Sequence, residues 1–244
     1  MTFRIHHRAV TESTNLDARE GVHGDVFTAD EQTAGRGRLD HRWLSPPGAN
    51  LMLSAVLDVA DLPPEQIVTL PLAVGLAVHA CIARFLPDRP IALKWPNDVY
   101  VSGLKIAGIL CERHGDFVVA GIGVNVNQTV FAPEIAARAT SLVVAGGPSA
   151  PIEVGRVRDV LLEELGSVYD RWRVAGFAAL HPRYAAVDWL KGRFIAVRQT
   201  DDDAAPLEGV CEGVQSDGTL LVGGVPVYAG EAHVARVGSR EAEG

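Results

Sequence analysis

"KWPNDVYVSGLKIAGIL", residues 94–110, is a β-branched, apolar run that breaks at Trp95-Pro96-Asn97-Asp98 and restarts behind a lone lysine, Lys105. Pro96 has no N–H to give to a sheet ladder, so the chain must turn there. Lys105, at the head of "LKIAGIL", is costly to bury. It either runs its aliphatic stem out to water or meets something negative.

The segments on both sides complete an α+β pattern. β-Branched content and run length predict strands at 3–10, 25–30, 50–59, 91–95, 105–112 and 117–126. A short helix is expected from Ser13 or Thr14, both good N-caps, with "LDARE" behind them. A long helix is expected over 66–86. Val157, Val160, Leu161, Leu165, Val168 and Trp172 repeat at helical spacing and predict another over 153–173, with a second piece over 176–186. Past Val187 come short β runs, "GRFIAVRQ", "LEGVCEGVQ", "GTLLVGG" and "VPVYAGEAHVARV", with "SDGT" as a tight turn. They predict a small SH3-like β-barrel, followed by a frayed tail, "GSREAEG". The expected division is 1–187 and 188–238.

The 244 residues and net charge of −8 bound what the chain can do. An acidic chain is a poor general binder of nucleic acid, because phosphate neutralisation needs a basic face. The first strand begins almost at Met1, which leaves no room for a helix-turn-helix ahead of the core, so no nucleic-acid role is expected. No signal peptide is visible. The apolar window 67–86 contains Pro71, His79 and Arg84 and reads as a core helix rather than a membrane span. Cys81, Cys111 and Cys211 are scattered, which fits reduced thiols in the cytoplasm.

Four segments are too polar for their surroundings. "TESTN" places Ser13, Thr14 and Asn15 at a strand-to-helix junction, where they either cap the helix or face a small polar ligand. "DEQTAGRGRLDHRW", residues 30–43, sets arginines between glycines. It is either a solvated connection or a cradle for an anion, since guanidinium groups match phosphate and carboxylate oxygens in pairs. The third is "KWPND" with Lys105 eleven positions beyond Lys94, and the fourth is "GIGVNVNQ", where Asn125 and Asn127 either end a strand or line a site. There is no phosphate loop of the GxxxxGK[ST] type, no G-x-S-x-G elbow, no recognisable cysteine nucleophile and no H-E-x-x-H site.

In this order the four segments resemble the biotin–protein ligases over almost the whole chain, with "KWPND" and "LKIAGIL" the most distinctive part. The resemblance is to the type without a DNA-binding domain. It implies a mixed-sheet biotin/lipoate ligase-like catalytic domain carrying the small C-terminal β domain. It also implies biotin and ATP as substrates, with Mg²⁺ accompanying ATP near Asn97 and Asp98 rather than at a protein metal motif.

Carried over by position, Ser13, Thr14, Asn15 and Gln32 would bind the ureido ring of biotin. Gly35, Arg36, Gly37 and Arg38 would form a flexible loop over biotin and the adenylate phosphate. Lys105, with Gly108 beside it, would meet the biotin carboxylate and then the acyl phosphate. Asn97, Asp98 and Asn125 would lie on the nucleotide side, with Asp98 a candidate base. Lys105, Arg38 and Asp98 are thus the expected catalytic set. Relatives often read GRGRxGR, whereas this loop reads "GRGRLDHRW", with Asp40 and His41 intervening.

The implied reaction is ATP-dependent formation of biotinoyl-5′-AMP, then transfer to a lysine of a biotin carboxyl carrier domain of acetyl-CoA carboxylase or a related carboxylase. The expected protein is cytoplasmic, free of membrane, and a monomer or weak homodimer. A lipoate ligase or octanoyl transferase of the same fold is the alternative enzyme. A biotin sensor without catalytic output is the alternative of another class.

Overall fold

The computed structural model describes residues 1–39, 41–146, 151–198 and 205–234. The expected frayed tail and Asp40 lie outside the described residues. Seven strands form one mixed sheet: β1 (Arg4–Thr11), β2 (Asp25–Gln32), β3 (Leu51–Asp58), β4 (Ile91–Lys94), β5 (Asp98–Val101), β6 (Leu104–His114) and β7 (Phe117–Val124). They lie side by side as β1-β2-β3-β7-β6-β5-β4. Only β1 and β2 run parallel. β5 was hidden in the sequence by its four-residue length and by the proline two residues ahead of it.

The two faces of this sheet have different jobs, and period-two alternation sorts them. On β3, Leu51, Leu53, Ala55 and Leu57 join the main apolar core, as do Val118, Ala120, Ile122 and Val124 on β7. That face is covered by α3 (Leu70–Phe85) and α5 (Val154–Ala175), which pack on each other. The other face presents Met52, Ser54 and Val56 from β3, and Val119, Gly121 and Gly123 from β7. Short α1 (Thr14–Asp17) and the 3₁₀ turn Ala18–Glu20 cover only part of it, through Ala18 on Val56 and Val119.

The helix expected over 66–86 is two. α2 (Pro64–Ile67) ends before Thr69, and α3 begins after it with Pro71 in its first turn. The Thr69 hydroxyl donates to the Gln66 carbonyl at 2.6 Å and accepts Trp172 Nε1–H at 2.9 Å, which pins the break to α5. The apolar window is a core helix, with ten of its residues buried. α4 (Pro133–Ala136) is a surface turn that the sequence reading did not anticipate, and the piece expected at 176–186 is a 3₁₀ turn followed by α6 (His181–Ala185).

The C-terminal strands β8 (Phe194–Arg198), β9 (Leu207–Val214), β10 (Leu220–Val222), β11 (Val225–Val227) and β12 (Glu231–Val234) form a second sheet in the order β11-β10-β9-β8-β12. The expected barrel is not closed: among the described residues β11 and β12 are opposite edges. The single run "VPVYAGEAHVARV" divides because Gly230, at φ 146°, turns the chain from one edge toward the other. "SDGT" is a tight turn, with Gly218 at φ 87° and the Asp217 carboxylate accepting Thr219 N–H at 3.0 Å. That turn accepts Trp95 Nε1–H at the Gly218 carbonyl (3.2 Å), so the second sheet braces the KWPND turn.

Candidate functional site

Lys105 reaches the open face of the sheet because β6 carries an irregularity. Tyr100 pairs with Lys105, but Val99 pairs with Ala107, so Ile106 is an extra residue in the ladder. In a regular strand Lys105 and Gly108, three apart, would point to opposite faces; one extra residue puts them on the same face. Consistent with this, consecutive Ile106 and Ala107 both lie in the apolar core. A methyl group placed on Gly108 would sit 3.4 Å from Lys105 Nζ. The anion that makes the lysine tolerable is Asp98, whose Oδ1 is 2.6 Å from Nζ. The contact is an ion pair out of line for a hydrogen bond, and Asp98 Oδ1 is buried with no aligned donor among the described residues.

At the other end of the cleft the polar groups come from α1 and β2. Ser13 occupies the N-cap position of α1, but its side chain makes no capping bond and is buried. Thr14 N–H donates to Gln32 Oε1 at 2.8 Å, and the Thr14 hydroxyl lies 3.0 Å from the same oxygen. Beneath them Ser54 Oγ, fully buried, is 2.7 Å from Thr14 Oγ1 and 2.6 Å from Asn15 Oδ1. Its one proton can serve only one of these oxygens, so the cluster is ordered by a shared hydrogen-bond chain. Asn15 is held from both ends, because its amide donates to Glu112 Oε2 at 2.7 Å. A methyl on Gly121 would stand 2.1 Å from Asn15 Oδ1, so only glycine fits opposite it.

The arginine loop folds as a miniature hairpin. Arg36 bridges Arg42, Trp43 N–H donates to the Gly35 carbonyl at 3.0 Å, and Gly37 N–H donates to the His41 carbonyl at 2.7 Å. Gly35 is needed for this closure, since a Cβ there would lie 2.4 Å from the Trp43 carbonyl oxygen. The hairpin lays the Trp43 ring over Gly123 and Gly108. Its first two arginines separate. Arg36 donates to Glu112 Oε1 at 3.0 Å, whereas Arg38 reaches the far end, 3.5 Å from Asn97 Oδ1 and 3.4 Å from the Gly230 carbonyl. Burial pushes the Arg38 guanidinium below its ordinary pKa, against the pull of Glu231 and Asp98.

The biotin/lipoate A/B protein ligase family matches residues 7–128, half of the chain. A biotin–[acetyl-CoA-carboxylase] ligase of Paracoccus denitrificans is 32% identical over 88% of this chain and 92% of its own length. This chain belongs to the biotin/lipoate A/B protein ligase family. A biotin–[acetyl-CoA-carboxylase] ligase of Mycobacterium tuberculosis is 42% identical over 68% of the chain, which spans 64% of that protein's length. Among solved structures, a biotin protein ligase from Aquifex aeolicus in complex with biotin and ATP superposes with a TM-score of 0.82 at 27% identity, covering 96% of this chain and 99% of that one.

In this family member one cleft is lined by Ser13, Thr14, Asn15, Gln32, Arg36, Gly37, Arg38, Asn97, Asp98, Lys105 and Gly108, all expected from the sequence. Two expected residues stand outside its wall. Gly35 shapes the loop, and Asn125 donates to the Thr140 carbonyl at 2.9 Å while Thr140 N–H donates to the Lys105 carbonyl at 2.9 Å, which braces the lysine strand from behind. Asn127 is a strand-end clamp on Ile152.

The sequence reading missed several groups. Trp43 forms an aromatic wall whose Nε1–H is buried without a partner among the described residues. His41 and Arg42 precede it in the loop, and Glu231 enters the cleft from β12, 3.7 Å from His41 Nδ1. Ser54 and Glu112 hold Asn15 from its two sides. Only Ser54 left a signal, as the one polar residue inside "LMLSAVL".

Proposed function

We propose that this chain is an ATP-dependent biotin ligase, joining biotin to a lysine of a biotin carboxyl carrier domain of acetyl-CoA carboxylase or a related carboxylase in the cytoplasm. One observation carries the reading: a single cleft places a neutral hydroxyl–amide cluster at one end and the cations Lys105 and Arg38 at the other, across a floor of glycines. A small acid with a polar, uncharged head and a carboxylate tail fits that polarity.

In the proposed reaction the biotin carboxylate attacks the α-phosphorus of ATP, pyrophosphate leaves, and biotinoyl-5′-AMP forms. The ε-amine of the carrier lysine then attacks the acyl carbon, forming an amide, releasing AMP and losing a proton. No enzyme nucleophile is required. The first step needs relief of repulsion between carboxylate and polyphosphate, which positioned cations supply best in a water-poor site.

Lys105 takes the carboxylate and then the acyl phosphate, and Arg38 takes the phosphate. Asp98 holds Lys105 in place while the cleft is empty and is the candidate base for the incoming lysine. Ser13, Thr14 and Gln32 recognise the ring head, and Asn15, engaged on both sides, positions them. Asn97 and Asp98 suit Mg²⁺ arriving with ATP, since Asp98 Oδ1, a buried carboxylate oxygen with no aligned donor among the described residues, is freed when Lys105 turns to the ligand. Bound there, the ion would offset phosphate charge. Residues 1–187 act as the catalytic unit in this proposal, and 188–238 as a β unit lending Glu231 to the cleft.

Pyrophosphate release with MgATP and either biotin or lipoate tests the reading. Release with biotin and little with lipoate is expected. Release with lipoate alone would assign the chain to the other branch of its family, and tight biotin binding without release would make it a sensor.

A further inference from the structure

The site face of β6 carries Lys105, Gly108, Leu110 and Glu112 in a row, with a cation at one end and an anion at the other. Lys105 has an evident task in the reaction. Glu112 has none, yet it is the more heavily engaged. One oxygen accepts the Asn15 amide at 2.7 Å; the other accepts Arg36 Nη1–H at 3.0 Å and lies 3.6 Å from Arg19 Nη2. Its side chain is 19% exposed.

We propose that Glu112 is a positioning residue that fastens the first arm of the arginine loop to the recognition helix. Its two oxygens join Arg36 of the loop to Asn15 of α1, so the loop is registered against the residues that read the ligand before any ligand arrives. Arg36 and Arg38 therefore divide the work. Arg36 is spent on Glu112 and anchors the arm, which leaves Arg38 as the guanidinium facing the Lys105 end. Two observations favour a clamp over a chance surface pair. The carboxylate is mostly shielded from water, where ion pairs are screened less. Its second oxygen is also fixed by an amide that Ser54 holds from behind, so the pair loses little side-chain freedom when it forms.

Glu112→Gln separates the clamp from the fold. Glutamine keeps an oxygen for Asn15 and turns an NH2 toward Arg36 and Arg19, so it removes both the charge and the acceptor that hold them. The measurement is limited trypsin digestion of the intact chain without ligand, with cuts after Arg38 and Arg42 mapped by mass spectrometry. Glu112→Gln is expected to speed those cuts about three- to tenfold, the effect of one charge-assisted bond lost at a partly shielded site, with cuts elsewhere unchanged. Arg36→Gln, a change at a half-exposed residue, should speed the same cuts to a similar degree, and the double variant no further.

Loop cuts at the wild-type rate in Glu112→Gln, or fully additive effects in the double variant, would overturn the clamp. Consequences for turnover rest on the biotin-ligase reading: Glu112→Gln should raise the KM for biotin severalfold and leave kcat close to wild type, whereas a loss confined to kcat would count against the clamp. If wild type releases no pyrophosphate with biotin, that reading fails while the digestion still decides the clamp.

Discussion

Replacing Gly121 with alanine should damage both the fold and the site by displacing Asn15. The new methyl would lie 2.1 Å from Asn15 Oδ1, 2.9 Å from its Cγ and 3.0 Å from its Nδ2, so the whole amide must move by more than an ångström. Moving it breaks the 2.6 Å contact with Ser54 and the 2.7 Å bond to Glu112. Ser54 is fully buried and keeps Thr14 Oγ1 at 2.7 Å, so the group left without its partners is the buried Asn15 amide. Overpacking costs about 1–3 kcal/mol, and a buried polar group left without its partner costs about 1–3 kcal/mol.

Partial relaxation makes a net loss of about 2–4 kcal/mol reasonable, which for a chain of this size lowers Tm by roughly 5–12 °C. Thermal unfolding followed by circular dichroism reads it directly. Gly155→Ala is the control, since its methyl meets nothing closer than 3.5 Å and sits in α5, where alanine should be neutral or slightly stabilising. Adding Asn15→Ala to Gly121→Ala should recover the steric part. A Tm for Gly121→Ala within about 2 °C of wild type would refute the claim that Asn15 is locked against that glycine.

Lys105→Ala should weaken binding of biotin and of its adenylate together by tenfold or more, from loss of a charge-assisted contact worth about 1.5–3 kcal/mol; unchanged affinity by calorimetry would return Lys105 to a solvent-seeking role. Arg38→Gly should still form adenylate but release it, so that an unrelated lysine-rich protein becomes biotinylated on a streptavidin blot; no labelling above wild type would remove Arg38 from intermediate retention. Burial raises the Asp25 carboxyl, but the Val22 N–H, His6 and Arg4 outweigh it and hold its pKa at about 2. A lowered folded-state value means stability that is present above the ordinary carboxylate range and lost as pH falls from about 4 toward 2. Chemical denaturation should therefore find Asp25→Asn weaker than wild type at pH 5 and equal to it near pH 2, and a constant difference across that range would contradict the assignment.

Much of the site was legible because its chemistry needs residue types that stand out against an apolar sheet. Arg38, Asp98 and Lys105 are charges where a core strand or its turn should have none, and the glycines of the loop announce a tight closure. What escaped depended on pairings across the sheet. Nothing local in "LKIAGIL" reveals that Ile106 is an extra residue, yet that irregularity alone turns Lys105 toward the cleft. Glu112 reads as an ordinary strand-end charge until Asn15 and Arg36 are found against it. Glu231 lies 126 positions beyond Lys105, and no spacing rule connects β12 to the cleft. The open second sheet was missed because alternation identifies strands but not whether the last pairs with the first.

In the proposed function the cleft activates biotin and hands it to a carrier lysine. Incubating the chain with biotin, MgATP and an isolated biotin carboxyl carrier domain, and reading the carrier by intact mass, tests it most directly. The expected product is a carrier bearing one biotinoyl group at a single lysine, formed only when ATP is present, with a Lys105→Ala variant strongly impaired. A carrier that remains unmodified while the folded protein and both substrates are present would contradict it.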